Sequence, residues 1–129
     1  MISRVTFNAA LRSIKGAFDG APAEEVYVVL NAYILACRQG LVLHAIDENI
    51  ANPVLFKALM LLFTNVAGRV ADRHGGKYTV RNFEEVLIPF FRRLKKSDLP
   101  RAGMTHIMLH EHYSKALSAG FLLKQWLFA

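Results

Sequence analysis

The chain has 129 residues, of which 53% are hydrophobic, and its formal net charge at pH 7 is +6. This length is typical of one domain, and the apolar content excludes a disordered chain, because enough side chains can be buried to offset the ordering entropy. The basic balance favours an anionic partner such as nucleic acid, a membrane surface or an acidic protein.

Apolar spacing predicts one helix near the amino terminus and a second soon after it. In the second helix, Pro22 fits the first turn, where a missing N–H costs nothing, and Gly40 is predicted to end the helix. The segment 41–50 fits either a short helix or a turn-rich connection. The first helix is predicted from apolar residues at offsets of four, three and four, namely Phe7, Leu11, Ile14 and Phe18.

A third helix is predicted to form the centre of the fold. Asn52 and Pro53 give a cap followed by a proline, which is a helix-start signature, and Gly75 and Gly76 can end the helix. Its apolar residues cover most of the circumference, as is typical of a buried helix. The two glycines follow cations and have no side chains, so they could also let a phosphate approach the backbone. We favour the helix cap, since no strand precedes them.

A fourth helix is predicted to begin at Thr79, whose hydroxyl can cap it, and to carry an apolar stripe that ends in cations. Pro89 lies inside this stripe and removes one helical hydrogen bond, so a kink or a break is expected near Leu87. Pro100 and Gly103 precede a last helix, predicted over about 105–119.

These elements predict an all-α fold. We expect a single helical domain over 1–129, built as a bundle of five or six helices with the apolar helix over 53–70 at its centre. No stretch has the alternating pattern of a half-buried strand.

The strongest functional signal is the group of cations at the end of the fourth helix. Positions 69–101 hold nine Lys or Arg and four Asp or Glu, whereas the rest of the chain is close to neutral. Cations at helical spacing can align along phosphates. The alternative is a solvated helix end, where the helix dipole also favours cations. The residues predicted to bind nucleic acid or an acidic partner are Arg92, Arg93, Lys95, Lys96 and Arg101.

The carboxyl-terminal tail is strongly apolar. It either closes the core of its own chain or docks on a second subunit or a larger protein, since exposed apolar patches usually mark interfaces. A self-associating structural or scaffolding subunit, and hence a homo-oligomer, is therefore the alternative function. The predicted interface residues are Phe121, Leu122, Trp126 and Phe128.

His106 and His110 are four residues apart and share one helix face, so they could together bind a metal ion. The pattern lacks the His-Glu-x-x-His order that also places a general base, so we favour ordinary solvated histidines. The serines lie in no nucleophile motif, and neither a catalytic residue nor a cofactor is predicted.

The chain is expected to be cytoplasmic, without a membrane partner. Its one cysteine, Cys37, excludes an intrachain disulfide and suits a reducing compartment. The longest apolar run, 58–63, is much shorter than the ~20 residues that cross a bilayer.

Several segments match a known family in order and spacing between positions 3 and 91. They are 3–7, 10–11, 30–33, 53–57, 58–59, 61–63, 79–83 and 86–89. Together they resemble the C-terminal helical region of DGQHR-domain (DndB-like) proteins, although the Asp-Gly-Gln-His-Arg motif is absent. The resemblance implies a helical module in a DNA-modification or phage-defence system. With the basic charge, it makes a non-enzymatic interaction or regulatory module the leading function.

Overall fold

The computed structural model describes residues 4–14, 16, 20–44, 50, 52–94, 99–100, 103–115 and 117. All regular secondary structure in this part of the chain is helical, which confirms the predicted all-α class. The helices are α1 (Arg4–Ser13), α2 (Ala23–Leu43), α3 (Pro53–His74) and α4 (Val80–Arg93). A further helical segment, α5, covers 106–115.

The central position predicted for α3 is confirmed. The helix begins at Asn52, whose Oδ1 accepts hydrogen bonds from the backbone N–H groups of Val54 and Leu55 at 3.0 and 3.2 Å. It ends at Gly75, which adopts the left-handed conformation (φ +63°) that favours glycine. Its buried residues cover most of the circumference: Leu55, Phe56, Ala58, Leu59, Met60, Leu62, Phe63, Val66 and Val70.

Tyr33 of α2 joins three helices in the core. Its ring packs edge-on against Phe63 of α3 and Phe83 of α4, with centroid distances of 5.1 and 5.4 Å. Its buried hydroxyl donates a hydrogen bond to the carbonyl oxygen of Leu59 at 2.5 Å. This bond satisfies the polar end of a fully buried side chain, which would otherwise be costly to remove from water.

The helix α2 is longer than its sequence predicted. It continues through Gly40 to Leu43, so the predicted end at Gly40 is wrong. This glycine instead permits a close contact, because a Cβ atom at this position would clash with the Phe91 ring of α4. A glycine pattern alone does not separate a helix end from a close approach by another side chain.

The helices α2 and α4 run in the same direction. Tyr33 meets Phe83, and Gly40, about two turns further along α2, meets Phe91, also about two turns further along α4. The carboxyl ends of both helices therefore lie on the same side of the fold.

The helix α4 begins as predicted and does not break at its proline. Thr79 Oγ1 accepts a hydrogen bond from the backbone N–H of Asn82 at 3.2 Å. The helix then continues past Pro89 to Arg93, so a break near Leu87 does not occur. We attribute this to the burial of the two phenylalanines that follow the proline, which holds the last turn against the core.

By length and composition, α2 and α3 are both apolar enough to cross a membrane. Half of the most apolar window of α3 and a third of that of α2 are buried inside the fold. The core helices of a soluble protein meet the same criterion. The absence of a membrane partner and the cytoplasmic location therefore stay predictions.

We predict that Gly40→Ala destabilises the fold. The added methyl group has to displace the buried Phe91 ring, and overpacking of this kind costs about 1–3 kcal/mol. That cost exceeds the gain of up to about 1 kcal/mol in helix propensity. Urea denaturation measures the change in the free energy of unfolding.

Gly68→Ala in α3 is the matched control. A Cβ atom at this position meets nothing within 4 Å, so only the propensity gain remains. We expect Gly68→Ala to stabilise the protein by about 0.5–1 kcal/mol. Equal effects of the two substitutions would contradict the packing role of Gly40.

Candidate nucleic-acid interface

The carboxyl end of α4 is fixed by two neighbouring phenylalanines that face different elements. Phe90 packs edge-on against Tyr113 of α5, with ring centroids 5.1 Å apart and planes at 76°. Phe91 stacks on His44 at the end of α2, with ring centroids 6.0 Å apart and an angle of 23° between the ring planes. Both phenylalanines are buried, so the last turn of α4 has a defined orientation.

The next two residues, Arg92 and Arg93, are exposed to solvent. Arg93 Nη1 donates to the carbonyl oxygen of Pro89 at 3.1 Å. Within the described residues, no carboxylate forms an ion pair with either arginine. Two cations thus extend from a helix end whose carbonyl dipole favours them. The other predicted binding residues, Lys95, Lys96 and Arg101, lie outside the described residues.

The cations at the end of α3 have partners within the protein. Arg69 Nη1 donates to the carbonyl oxygen of Leu117 at 3.0 Å. Burial, and then the charge of Arg73, lower the pKa of the Arg69 guanidinium. Arg73 Nη1 lies 3.9 Å from one carboxylate oxygen of Glu85, and His74 Nε2 lies 3.2 Å from the other. The contact of His74 with Glu85 is not aligned as a hydrogen bond.

The glycine turn after α3 is therefore a helix cap, as the sequence analysis favoured. Gly75 closes the helix with a hydrogen bond from its N–H to the carbonyl oxygen of Ala71. The nearby side chains of Arg73 and His74 lie beside Glu85, whose negative charge disfavours an added phosphate. The carboxyl end of α4 is the better candidate for binding an anion.

The two histidines proposed as metal ligands both lie on α5 and are half-buried. His110 Nε2 lies 3.1 Å from the hydroxyl of Ser114. Burial lowers the pKa of His110, and the Glu111 carboxylate opposes this shift. In the described part of the chain, no group of three or more His, Cys, Asp or Glu could hold a metal ion with His106 and His110.

Cys37 is enclosed in the core between α2 and its neighbours. Its exposed fraction is 0%, and burial raises the pKa of its thiol to about 12, although a hydrogen bond with Tyr33 acts in the opposite direction. A thiol with this pKa is almost entirely protonated at neutral pH and is a poor nucleophile. Cys37 is therefore a buried thiol that the core shields from solvent.

The predicted tail interface lies outside the described residues; it consists of Phe121, Leu122, Trp126 and Phe128. The structure instead reveals an apolar surface that the sequence analysis did not identify. It lies on the outer face of α2, where Val28, Leu35 and Val42 recur every seven residues. That spacing was available in the sequence, but it was hidden within a helix that is apolar on several sides.

The chain matches no protein-family model, and no curated protein or solved structure matches it. The resemblance to DGQHR-domain proteins therefore remains a prediction.

We predict that Cys37 does not react with a water-soluble thiol reagent in the native protein at pH 8. In denaturant, where its pKa returns to about 8.5, the same thiol should react within minutes. Absorbance of the released chromophore from a disulfide reagent measures both rates. A native rate close to the denatured rate would contradict the enclosed position.

Proposed function

We propose that the chain is a non-enzymatic interaction or regulatory module of a DNA-associated system, for example DNA modification or phage defence. In this proposal the basic carboxyl end of α4 binds phosphate groups of nucleic acid. One observation carries the proposal. Arg92 is exposed, forms no ion pair within the described residues, and lies on a helix end fixed by Phe90 and Phe91.

Rigidity and exposure together support this function. A cation on a fixed helix end loses less conformational freedom on binding than one on a loose segment. Guanidinium groups donate in a fork that matches phosphate oxygens, so Arg92 and Arg93 are suited to this contact. The adjacent sequence positions add Lys95, Lys96 and Arg101 to the local charge.

The expected mode of binding is electrostatic and insensitive to base sequence. Phosphate contacts position a protein on nucleic acid but do not distinguish bases. The arginines lie at the carboxyl end of α4, whereas recognition helices usually contact bases through their amino-terminal residues. An acidic protein surface is the alternative partner, because carboxylates satisfy the same guanidinium donors.

We predict that Arg92→Ala with Arg93→Ala weakens binding to a short DNA duplex. Each phosphate contact that is removed should reduce the slope of log K against log salt concentration by about 1, so the double variant should lose about 2. Fluorescence anisotropy at several salt concentrations measures both the affinity and the slope.

Arg12→Ala with Arg81→Ala is the matched control, because both residues are exposed, lie away from the carboxyl end of α4 and carry the same total charge. This control should retain a slope close to that of the parent protein. An equal loss in both double variants would indicate that net charge alone is responsible. If the chain forms no complex with the DNA duplex at low salt but binds an acidic protein, the acidic protein surface is the favoured partner.

A further inference from the structure

The outer face of α2 is the largest group of exposed apolar side chains in the described part of the chain. Of the nine large hydrophobic residues that are exposed there, five lie on this one helix. Val28, Leu35 and Val42 are 63%, 40% and 79% exposed. Exposed apolar area of this kind usually marks an interaction surface.

These side chains share one side of the helix, opposite the core. A spacing of seven residues is almost two full turns, so Val28, Leu35 and Val42 form a stripe along the helix axis. The opposite side of α2 is buried through Tyr33 and Cys37. The helix therefore has two apolar sides, and only one of them is buried in the described part of the chain.

The exposed residues are arranged symmetrically about Leu35. Val28 and Val42 are each seven residues from it, and Tyr27 and Leu43 are each eight residues from it. Two exposed amides, Asn31 and Gln39, are each four residues away. A helix with this arrangement is complementary to an antiparallel copy of itself, which is the requirement of a two-fold interface.

We propose that two copies of this chain associate through α2, antiparallel, with the two-fold axis at Leu35. In this arrangement Leu35 meets Leu35 of the second copy, and Val28 meets its Val42. Asn31 lies opposite Gln39 of the second copy, where the amides can exchange hydrogen bonds. The proposal does not depend on nucleic-acid binding. It concerns a different helix face, which borders the carboxyl end of α4 only at Arg92.

The shape of the face supports this occupant. An open groove of about 530 Å³ lies beside the carboxyl-terminal half of α2. The antiparallel register places Val28 of the second copy over this half, so that its side chain can enter the groove. The groove is lined by Leu35, Arg38, Gln39, Val42, Leu43 and Glu84.

Charge favours the antiparallel direction over the parallel one. The first turn of α2 carries Glu24 and Glu25, which are exposed. In the antiparallel pair they lie near the carboxyl end of the other α2, and the contact of Phe91 with Gly40 places the cation Arg92 close to that end. The two helix dipoles also oppose each other. A parallel pair would bring the four carboxylates together.

Cysteine cross-linking tests the register directly. Leu35→Cys places one cysteine of each copy at the two-fold axis. A disulfide needs a Cα–Cα separation of about 4.4–6.8 Å, and we expect the two cysteines to meet this condition. We expect a covalent dimer as the main product of mild oxidation. The native Cys37 is buried and does not compete.

Two further variants separate the possible directions. Val28→Cys alone should remain uncross-linked. In the antiparallel pair position 28 of the second copy lies beside position 42, which is 14 residues or about 20 Å from position 28 along α2. A mixture of Val28→Cys and Val42→Cys should give the mixed dimer. Cross-linking of Val28→Cys to itself would overturn the antiparallel proposal.

Solution mass provides the second measurement. We expect the parent chain to show a concentration-dependent monomer–dimer equilibrium by light scattering. Leu35→Asp should raise the dimer dissociation constant at least about tenfold, because it places two carboxylates face to face at the centre of the interface. Ile107→Asp is the control, since this exposed residue of α5 adds the same charge away from α2.

The overturning results are distinct from the expected ones. A chain that is monomeric at all concentrations excludes the pair, as does an oligomer that survives Leu35→Asp. The second result would favour the carboxyl-terminal tail as the interface. Binding to lipid vesicles without any cross-link at Leu35 would assign the face of α2 to a membrane surface instead. None of these results requires DNA, so each is separable from the failure of the proposed function.

Discussion

The contact between the Phe91 ring and Gly40 determines how the rest of the fold is arranged. It allows α4 to approach α2 more closely than any side chain at position 40 would permit. With the contact of Tyr33 to Phe83, it makes the two helices parallel and brings their carboxyl ends to the same side. The exposed arginines follow directly after this contact, so the position of the candidate binding surface is a consequence of core packing.

The same geometry explains why one apolar face of α2 is exposed. Its inner side contacts both α3 and α4 through Tyr33, whose hydroxyl is satisfied by the carbonyl oxygen of Leu59. A fold of this size buries only part of the surface of its chain, so a helix at its periphery keeps one side exposed. Val28, Leu35 and Val42 therefore remain on the surface. The two proposed surfaces border each other at Arg92, and both depend on the orientation of α2.

Helix existence and capping could be predicted from the sequence because these signals are local. Asn52 and Thr79 cap the helices that they were predicted to cap, and Gly75 ends α3. The role of Gly40 could not be predicted, since its partner Phe91 is 51 positions away in the sequence and only the packed structure brings them together. Long-range contacts of this kind override local propensity.

The candidate site was predictable in part. The local excess of positive charge indicated Arg92 and Arg93, but composition does not show which cations are already engaged. The structure separates the cations at the end of α3, which have partners such as Glu85 and the Leu117 carbonyl, from those at the end of α4. The continuation of α4 beyond Pro89 also required tertiary information, because the burial of Phe90 and Phe91 offsets the lost hydrogen bond.

The central claim is that a helix end fixed in the core presents Arg92 and Arg93 to phosphate. Nuclear magnetic resonance of the side-chain Nε–Hε groups tests it most directly, in a titration with a short DNA duplex at low salt. We predict that the Arg92 and Arg93 resonances shift with added DNA and return as salt is raised, while the amides of α3 stay unchanged. Shifts confined to other arginines, or none at any salt concentration, would contradict the account.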